Sequence, residues 1–395
     1  MRRHLTAGTR SPARRDRPST ADRCRMRVDH QALRDFTQQC LIAVGVSKQD
    51  AVVVADVLVS ADLRGVDSHG VARLRRYVDG VRNGLIVPDA RTTVLAETPA
   101  TVALDAGNGL GQPASCAAVD MAMAKGVETG IGMATVRRSN HFGIAGYYAL
   151  RAARKGLFAI VGTNASPQVA PTNGATPMFG TNPLAVAFPT DPERPFVFDA
   201  ATSVVPRGKL ERLHREGNEM LSGWAVDPNG ESTTDIPRIV DGLKAREGYA
   251  LLPLGGLGEL HGGHKGYGLA TVVELFCGPL AGARWGRHVY GPDGAGLGHF
   301  FLCGQVAALT TVASFQAEAS QMFEELRASP KARGQDRVLI AGEREYDTEQ
   351  QRLATGIPLR PAVVADLSRI ADECDVAPLS PIPLGPPVDN TDKGD

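Results

Sequence analysis

Aromatic residues make up only 5% of the 395-residue chain, and neither charge sign is in excess, since Lys plus Arg and Asp plus Glu both number 43. A formal charge of zero supplies no general field for gripping nucleic acid or an anionic membrane, which leaves a small molecule as the favoured partner. Cysteine is sparse and scattered: Cys24, Cys40, Cys116, Cys277, Cys303 and Cys374 include no pair at the short spacing of a metal site or redox motif. This usage fits a reduced, cytoplasmic chain. Gly, Pro or a charge interrupts every long apolar stretch before the ~18 to 20 residues a membrane span needs, so a soluble protein is expected. Hydrophobic residues still amount to 43%, enough for a large core.

Residues 1–25 have almost no apolar content but contain Arg2, Arg3, Arg10, Arg14, Arg15, Arg17, Arg23 and Arg25. Disorder is expected there. Without an apolar h-region the stretch is not a secretory signal, and its composition leaves open a transit peptide or a true start at Met26. Helical periodicity follows from Val28 to about Arg82, where Leu33, Phe36, Cys40, Leu41 and Val44 share one face and Ser47 with Asp50 suggests a capping box.

Alternating strands and helices come next: strands at Thr101 to Leu104, Ile131 to Val136 and Phe158 to Thr163, with helices at Pro113 to Glu128 and near Tyr147 to Arg154. Further strands are expected at Leu184 to Phe188 and Phe196 to Asp199. A polar, loop-rich segment then runs through Thr234. The Gly-rich stretch Gly255 to Gly268 opens a helix from Leu269 to Cys277, and a strand at Phe300 and Phe301, a helix at Phe315 to Leu326, a strand at Val338 to Ile340 and a helix at Ala362 to Glu373 complete the pattern.

Three segments carry groups suited to chemistry. In Asp67-Ser68-His69-Gly70, a helix starting near Gly70 would bring His69 and Arg73 onto one face, where the guanidinium could fork a carboxylate. The alternative is an Asp or Ser cap beside a solvated Arg. His141, in Ser139-Asn140-His141-Phe142-Gly143, falls between a strand and a helix; an imidazole titrating near ~6.5 can exchange a proton with an alcohol or alkoxide. Taken alone, a loop histidine is more often a plain hydrogen-bonding residue.

The third set comprises Thr163 to Pro167, Gly180 to Pro183 and Gly262 to Gly268. In the last, glycines allow close backbone approach, Lys265 adds a cation and the following helix offers its positive end to an anion. Tight turning is the competing explanation. Gly107, Gly109 and Gly111 also follow a strand and precede a helix, with Arg137 and Arg138 downstream. The dinucleotide fingerprint, however, wants its third small residue where Gln112 stands. Glu259, His261 and His264 are close in sequence, yet nothing fixes a further ligand, and no metal is expected.

Taken together and in order, these segments resemble the malate/L-lactate (sulfolactate, ureidoglycolate) dehydrogenase family. The similarity spans about Leu33 to Ala371 and rests on DSHGVARLRRYV at Asp67 to Val78, SNHFG at Ser139 to Gly143, FGTNPLA through Ala185, FDAATS at Phe198 to Ser203, RGK at Arg207 to Lys209, GWAVD at Gly223 to Asp227, GGHKGYGLA at Gly262 to Ala270, and GHFFL at Gly298 to Leu302.

The resemblance implies a homodimeric oxidoreductase of small 2-hydroxy or 2-oxo acids, using NAD or NADP and neither membrane nor nucleic acid. It implies an α/β (α+β) non-Rossmann cofactor-binding fold with a largely antiparallel central sheet, packed against a helical lobe of N- and C-terminal segments. His141 takes the acid/base position, and Ser68, His69 and Arg73 the substrate positions. The cofactor positions are Asn164, Ala165, Asp199, Ala200, Ala201, Lys265, Gly266, Gly342, Glu343 and Arg344. The family pattern differs at Ala165, Ala200 and Pro206 and over Cys303 to Ser314, where an altered loop or a sequence error would explain the difference.

The expected organisation is an extension at 1–25, an N-terminal helical lobe at 26–95, a sheet-containing lobe binding cofactor and substrate at 96–309, a C-terminal helical segment at 310–379 packing on the N-terminal lobe, and a loose tail at 380–395. Within the enzyme class the alternative is a reductase of cyclic imine-2-carboxylates. Outside it, a non-catalytic small-acid or nucleotide-binding protein would share the Gly-rich loops and Arg73 but would not need a titrating His141.

Overall fold

The structure is a computed structural model that describes residues 26–382; the extension at 1–25 and most of the tail lie outside the described residues. Strand β1 (Met26–Val28) leads into α1 (His30–Ala43), whose first N–H groups are satisfied by the Asp29 carboxylate. Helix α2 (Lys48–Leu63) starts at Ser47, whose hydroxyl accepts from the Asp50 N–H at 3.1 Å and donates to the Asp50 carboxylate at 2.8 Å. The capping box thus closes side chain to side chain. After a 3-10 turn at Val71–Arg73 comes α3 (Leu74–Arg82), so the helix expected near Gly70 starts four residues later and His69 stays in the loop before it.

A seven-stranded sheet follows. Its chain order is β2 (Thr93–Glu97), β3 (Thr101–Asp105), α4 (Gly111–Thr129), β4 (Ile131–Ser139), α5 (Ala145–Ala153), β5 (Leu157–Thr163), β6 (Leu184–Phe188) and β7 (Phe196–Ala200). The segment expected to be loop contains α6 (Arg207–Glu216), and β8 (Ala225–Val226), α7 (Ile236–Ala245) and β9 (Ala250–Leu251) come before α8 (Gly263–Cys277). The remainder is β10 (Leu297–Gln305), α9 (Val312–Ala328), α10 (Glu343–Thr355), β11 (Ile357–Leu359) and α11 (Pro361–Cys374).

In space the sheet runs β2-β3-β4-β10-β5-β6-β7, and only β3 and β4 pair in parallel. The fold is therefore mixed α/β with a mostly antiparallel sheet. Period-two alternation divides the faces: Phe301 and Cys303 of β10 join the core beneath α4 and α5, whereas Phe300 and Leu302 face α8 with Val273 and Phe276. The departure from the family pattern after GHFFL leaves β10 intact, because Cys303 and Gly304 keep regular register with β4 and β5.

A second core joins Leu33, Leu58, Leu74 and Tyr77 to Leu367 and Ile370 of α11, with β1 and β11 paired at its edge. A third, smaller one gathers Leu210, Ile239, Leu243 and Leu251 between α6, α7 and the β8–β9 pair. Of the segment expected to pack on the N-terminal lobe, α9 instead lies on the sheet, with Phe315 6.1 Å from Phe188 and Phe323 5.8 Å from Phe196 between ring centres. Val338 to Ile340 is not a strand; it leads into α10, and the Ile340 N–H donates to the Glu343 carboxylate. The cap of that helix, not strand propensity, decides its conformation.

Candidate active site

Strand β4 extends through Ser139, three residues beyond its expected end, and the loop that follows presents His141. The loop backbone is fixed from below. Asn140 Nδ2 donates to the carbonyls of Asn108 and Gly109 at 3.1 and 2.9 Å. A Cβ on Gly111 would stand 2.3 Å from the Asn140 carbonyl oxygen, so only glycine lets the first turn of α4 approach the loop this closely. The glycines that hinted at a dinucleotide fingerprint thus support the His141 loop. Arg137 and Arg138 bond the Asp105 carboxylate at 2.9 and 2.8 Å.

From the other side, Phe142 stacks on His299 at 4.6 Å, and the nitrogens of that imidazole meet Thr163 Oγ1 at 2.7 Å and Ser139 Oγ at 2.8 Å. Burial pushes His299 down to about 3, so it is a neutral brace between β4, β5 and β10.

Around His141 the structure assembles Ser68, His69 and Arg73. The His69 ring stacks on His141 with centres 5.5 Å apart and planes 20° from parallel. Ser68 Oγ lies 2.9 Å from His69 Nδ1, and Arg73 Nε donates to the Ser68 carbonyl at 2.7 Å. Two more residues complete the cluster and were not singled out in the sequence. The hydroxyl of Tyr77, fully buried, lies 2.6 Å from His141 Nδ1, and Arg76 bonds the Tyr290 hydroxyl with its guanidinium 5.3 Å from that ring's centre. Spacing could have found Tyr77, since it follows Arg73 by one helical turn.

Burial is the main reason His141 loses its proton well below the usual imidazole range, with the charges of Arg76, His69 and Arg73 adding to it. Burial and the same two guanidiniums bring His69 down to about 4. Both rings are neutral at physiological pH. The Gly143 N–H can only donate, and it points at His141 Nδ1 from 3.4 Å, which assigns the neutral ring an accepting Nδ1. The Tyr77 hydroxyl suits both states of that ring, donating to Nδ1 when neutral and accepting from it when protonated.

The remaining expected positions fall on a series of adjoining loops. Asp199, next to last in β7, accepts from the Gly146 N–H at 2.7 Å, in the first turn of the helix after His141. Ala200 and Ala201 continue from it to Thr202, which bonds Thr181 and, through its carbonyl, the Leu254 N–H. Gly266 packs on Leu254, where a Cβ would lie 2.0 Å from the carbonyl oxygen, while Lys265 is exposed beside it. Both belong to the first turn of α8, which begins at Gly263 and not at Leu269, and no side chain caps that turn.

Gly342 caps α10 and lies against Val197 of β7, and Arg344 is exposed nearby. Two side chains are already committed. Asn164 bonds Glu274, the Arg284 carbonyl and the Gly298 N–H, and Glu343 bonds Arg327 and the Ile340 N–H. Ala165 touches Gly180. An uncapped helix start, two exposed cations and the Asp199 carboxylate are a donor and acceptor set that fits a phosphate-bearing dinucleotide.

The family model for malate/L-lactate dehydrogenases matches residues 28–368. The chain belongs to that family. Among its malate/L-lactate dehydrogenase relatives, the malate dehydrogenase of Pyrococcus horikoshii is 43% identical over 353 residues, covering 89% of this chain and 96% of that one, and its solved structure superposes with a TM-score of 0.82. The malate dehydrogenase of Entamoeba histolytica superposes with a TM-score of 0.86 at 36% identity, covering 91% of this chain and all of the other. A delta(1)-pyrroline-2-carboxylate reductase of Ancylobacter novellus is 33% identical over 84% of this chain and 93% of its own length. As a member of this family the protein is a hydroxy acid oxidoreductase, and its dehydrogenase relatives imply a nicotinamide cofactor. Among the described residues no helix is long and apolar enough to cross a membrane.

Proposed function

We propose that the enzyme interconverts a small 2-hydroxy acid and its 2-oxo form at the cluster around His141, and that Arg73 holds the C1 carboxylate while Ser68 and His69 line the same site. The observation that carries this reading is the convergence of a neutral imidazole, a phenol and two guanidiniums at one place. Bidentate guanidinium recognition would orient the acid, and His141 would exchange the proton of the C2 oxygen. An anion bound beside Arg73 and Arg76 offsets the charge that disfavours a protonated His141, so the acid itself raises the basicity of that ring. Because two cations act on the same imidazoles, an acid with a second anionic group is favoured over a monoacid.

A nicotinamide dinucleotide, when bound, supplies or removes the hydride at C2. Asp199, Ala200, Ala201, Lys265, Gly266 and Arg344 would hold it, with Asn164, Ala165, Gly342 and Glu343 contributing backbone. This reading includes a non-Rossmann cofactor fold, supported by a sheet with one parallel pair. It also includes a homodimer, implied by the resemblance, and a cytoplasmic location, supported by the five free cysteines among the described residues.

The test is oxidation of NADH and NADPH by a panel of oxaloacetate, pyruvate, glyoxylate and cyclic imine-2-carboxylates. Oxaloacetate is expected to lead, and a cyclic imine leading instead would replace this reading with the imine reductase. General acid help contributes roughly 10² to 10⁴ in rate, so His141→Ala should lose that much turnover and retain nicotinamide binding. Full activity in that variant would refute the assignment.

A further inference from the structure

Helix α10 grips one short stretch of chain through three residues of a single face. Glu349 bonds Arg64 at 2.7 Å, and Thr348 Cγ2 lies 3.1 Å from where a Cβ on Gly65 would stand. Arg352 bonds the Asp67 carboxylate at 2.6 Å and also the Asp62 carbonyl. The stretch so held, 62–67, runs directly into Ser68, His69 and Arg73. Where it starts, α10 is fixed to β7 by Gly342 against Val197, and one residue before Thr348, Asp347 bonds Arg194, which leads into β7, at 3.0 Å. The helix therefore forms a strut from the strand that carries Asp199 to the loop that carries Asp67. The Arg352 side chain is 12% exposed and that of Asp67 29%, so water weakens this pair much less than a surface ion pair.

We propose that Arg352 is a positioning residue: through Asp67 it holds the loop bearing Ser68, His69 and Arg73 in the geometry that receives the acid. The inference rests on the substrate role proposed for those three residues. Arg352 lies outside the His141 cluster, so its loss should disturb capture of the acid and leave the proton transfer of the bound complex largely intact. A hydrogen bond between charged partners biases a local equilibrium by roughly tenfold to a hundredfold.

The experiment compares wild type with Arg352→Gln, Arg352→Lys, Asp67→Asn and the Arg352→Gln/Asp67→Asn pair. It measures steady-state kinetics with NADH and oxaloacetate, and amide hydrogen exchange over residues 66–73. Expected are a KM for oxaloacetate raised roughly tenfold to a hundredfold in either single variant, kcat changed much less, no further loss in the double variant, substantial recovery with Lys, and faster exchange across the loop. Unchanged KM and exchange in folded Arg352→Gln, or fully additive losses, would overturn the proposal. If Arg352→Gln does not fold, Asp67→Asn decides, because unchanged exchange there also overturns it. Should the wild type reduce no acid at all, the functional reading fails, while loop exchange still tests the strut.

Discussion

Asp62, in the last turn of α2, is 3% exposed, and its carboxylate accepts the Val71 N–H at 2.8 Å. Burial is the foremost cause that pushes this carboxyl up to about 8; nearby Asp67 adds to the rise, and the Val71 N–H and Arg352 oppose it. The folded protein therefore holds a proton that the unfolded chain releases above an ordinary carboxyl value of about 4. Between pH ~4 and ~8 the unfolded state binds fewer protons, so stability falls as pH rises, by about 1.4 kcal/mol per pH unit for one proton. Asp62→Asn keeps an acceptor for Val71 and has no proton to lose. The stability of this variant relative to wild type should grow by about 3 kcal/mol from pH 5 to pH 7 and level off above pH ~8. In thermal unfolding the gap should widen by about 2 °C per pH unit. Midpoints for both proteins at pH 5, 6, 7, 8 and 9 give the answer. A gap that stays constant from pH 5 to pH 8 would show that Asp62 is ionised in the fold and sink the argument.

Tyr77→Phe removes the hydroxyl from His141 Nδ1 and should reduce kcat by roughly tenfold, with a shifted pH–rate profile for oxaloacetate reduction; an unchanged profile would mean that the hydroxyl does not orient the ring. Arg76→Gln deletes the charge that ranks first among those acting on His141. The pH limb governed by that ring should move upward, and KM for oxaloacetate should rise more than KM for pyruvate, which steady-state kinetics across pH will read. Gly70→Ala would place a Cβ 1.9 Å from Asp62 Oδ1. Overpacking of this kind costs about 1–3 kcal/mol, so a clearly lower unfolding midpoint is expected, and an unchanged one would mean that the loop relaxes freely.

Periodic apolar patterns made much of the fold legible. Leu33, Phe36, Cys40 and Leu41 announce α1, and β6 occupies the residues expected of it, Leu184 to Phe188. Helices held mainly by charge were not legible. In α6 only Leu210 is buried, and Arg207–Glu211 and Arg212–Glu216 pairs decorate the rest. In α10 the contacts are ionic and come from partners distant in sequence, a pattern with no local period. Short strands such as β1 and β11 depend on each other across the whole chain, so neither is visible alone. At the site, motif order placed Ser68, His69, Arg73 and His141 in one group. Sequence could not show that the Asn164 and Glu343 side chains are consumed by internal bonds, because Glu274 and Arg327 become their partners only through folding.

The middle strand of the sheet is supplied late. β10 pairs with both β4 and β5 but starts at Leu297 of 395 residues, so during synthesis the edges of both earlier strands are without their shared partner for well over a hundred residues. Unpaired edges of that kind invite pairing with other chains. A ribosome that stalls before Leu297 would therefore release an aggregation-prone product rather than a smaller working enzyme. Chains ended at Gly296 and at Gln305 should differ sharply in solubility, and equal solubility would show that another segment shields those edges in the meantime.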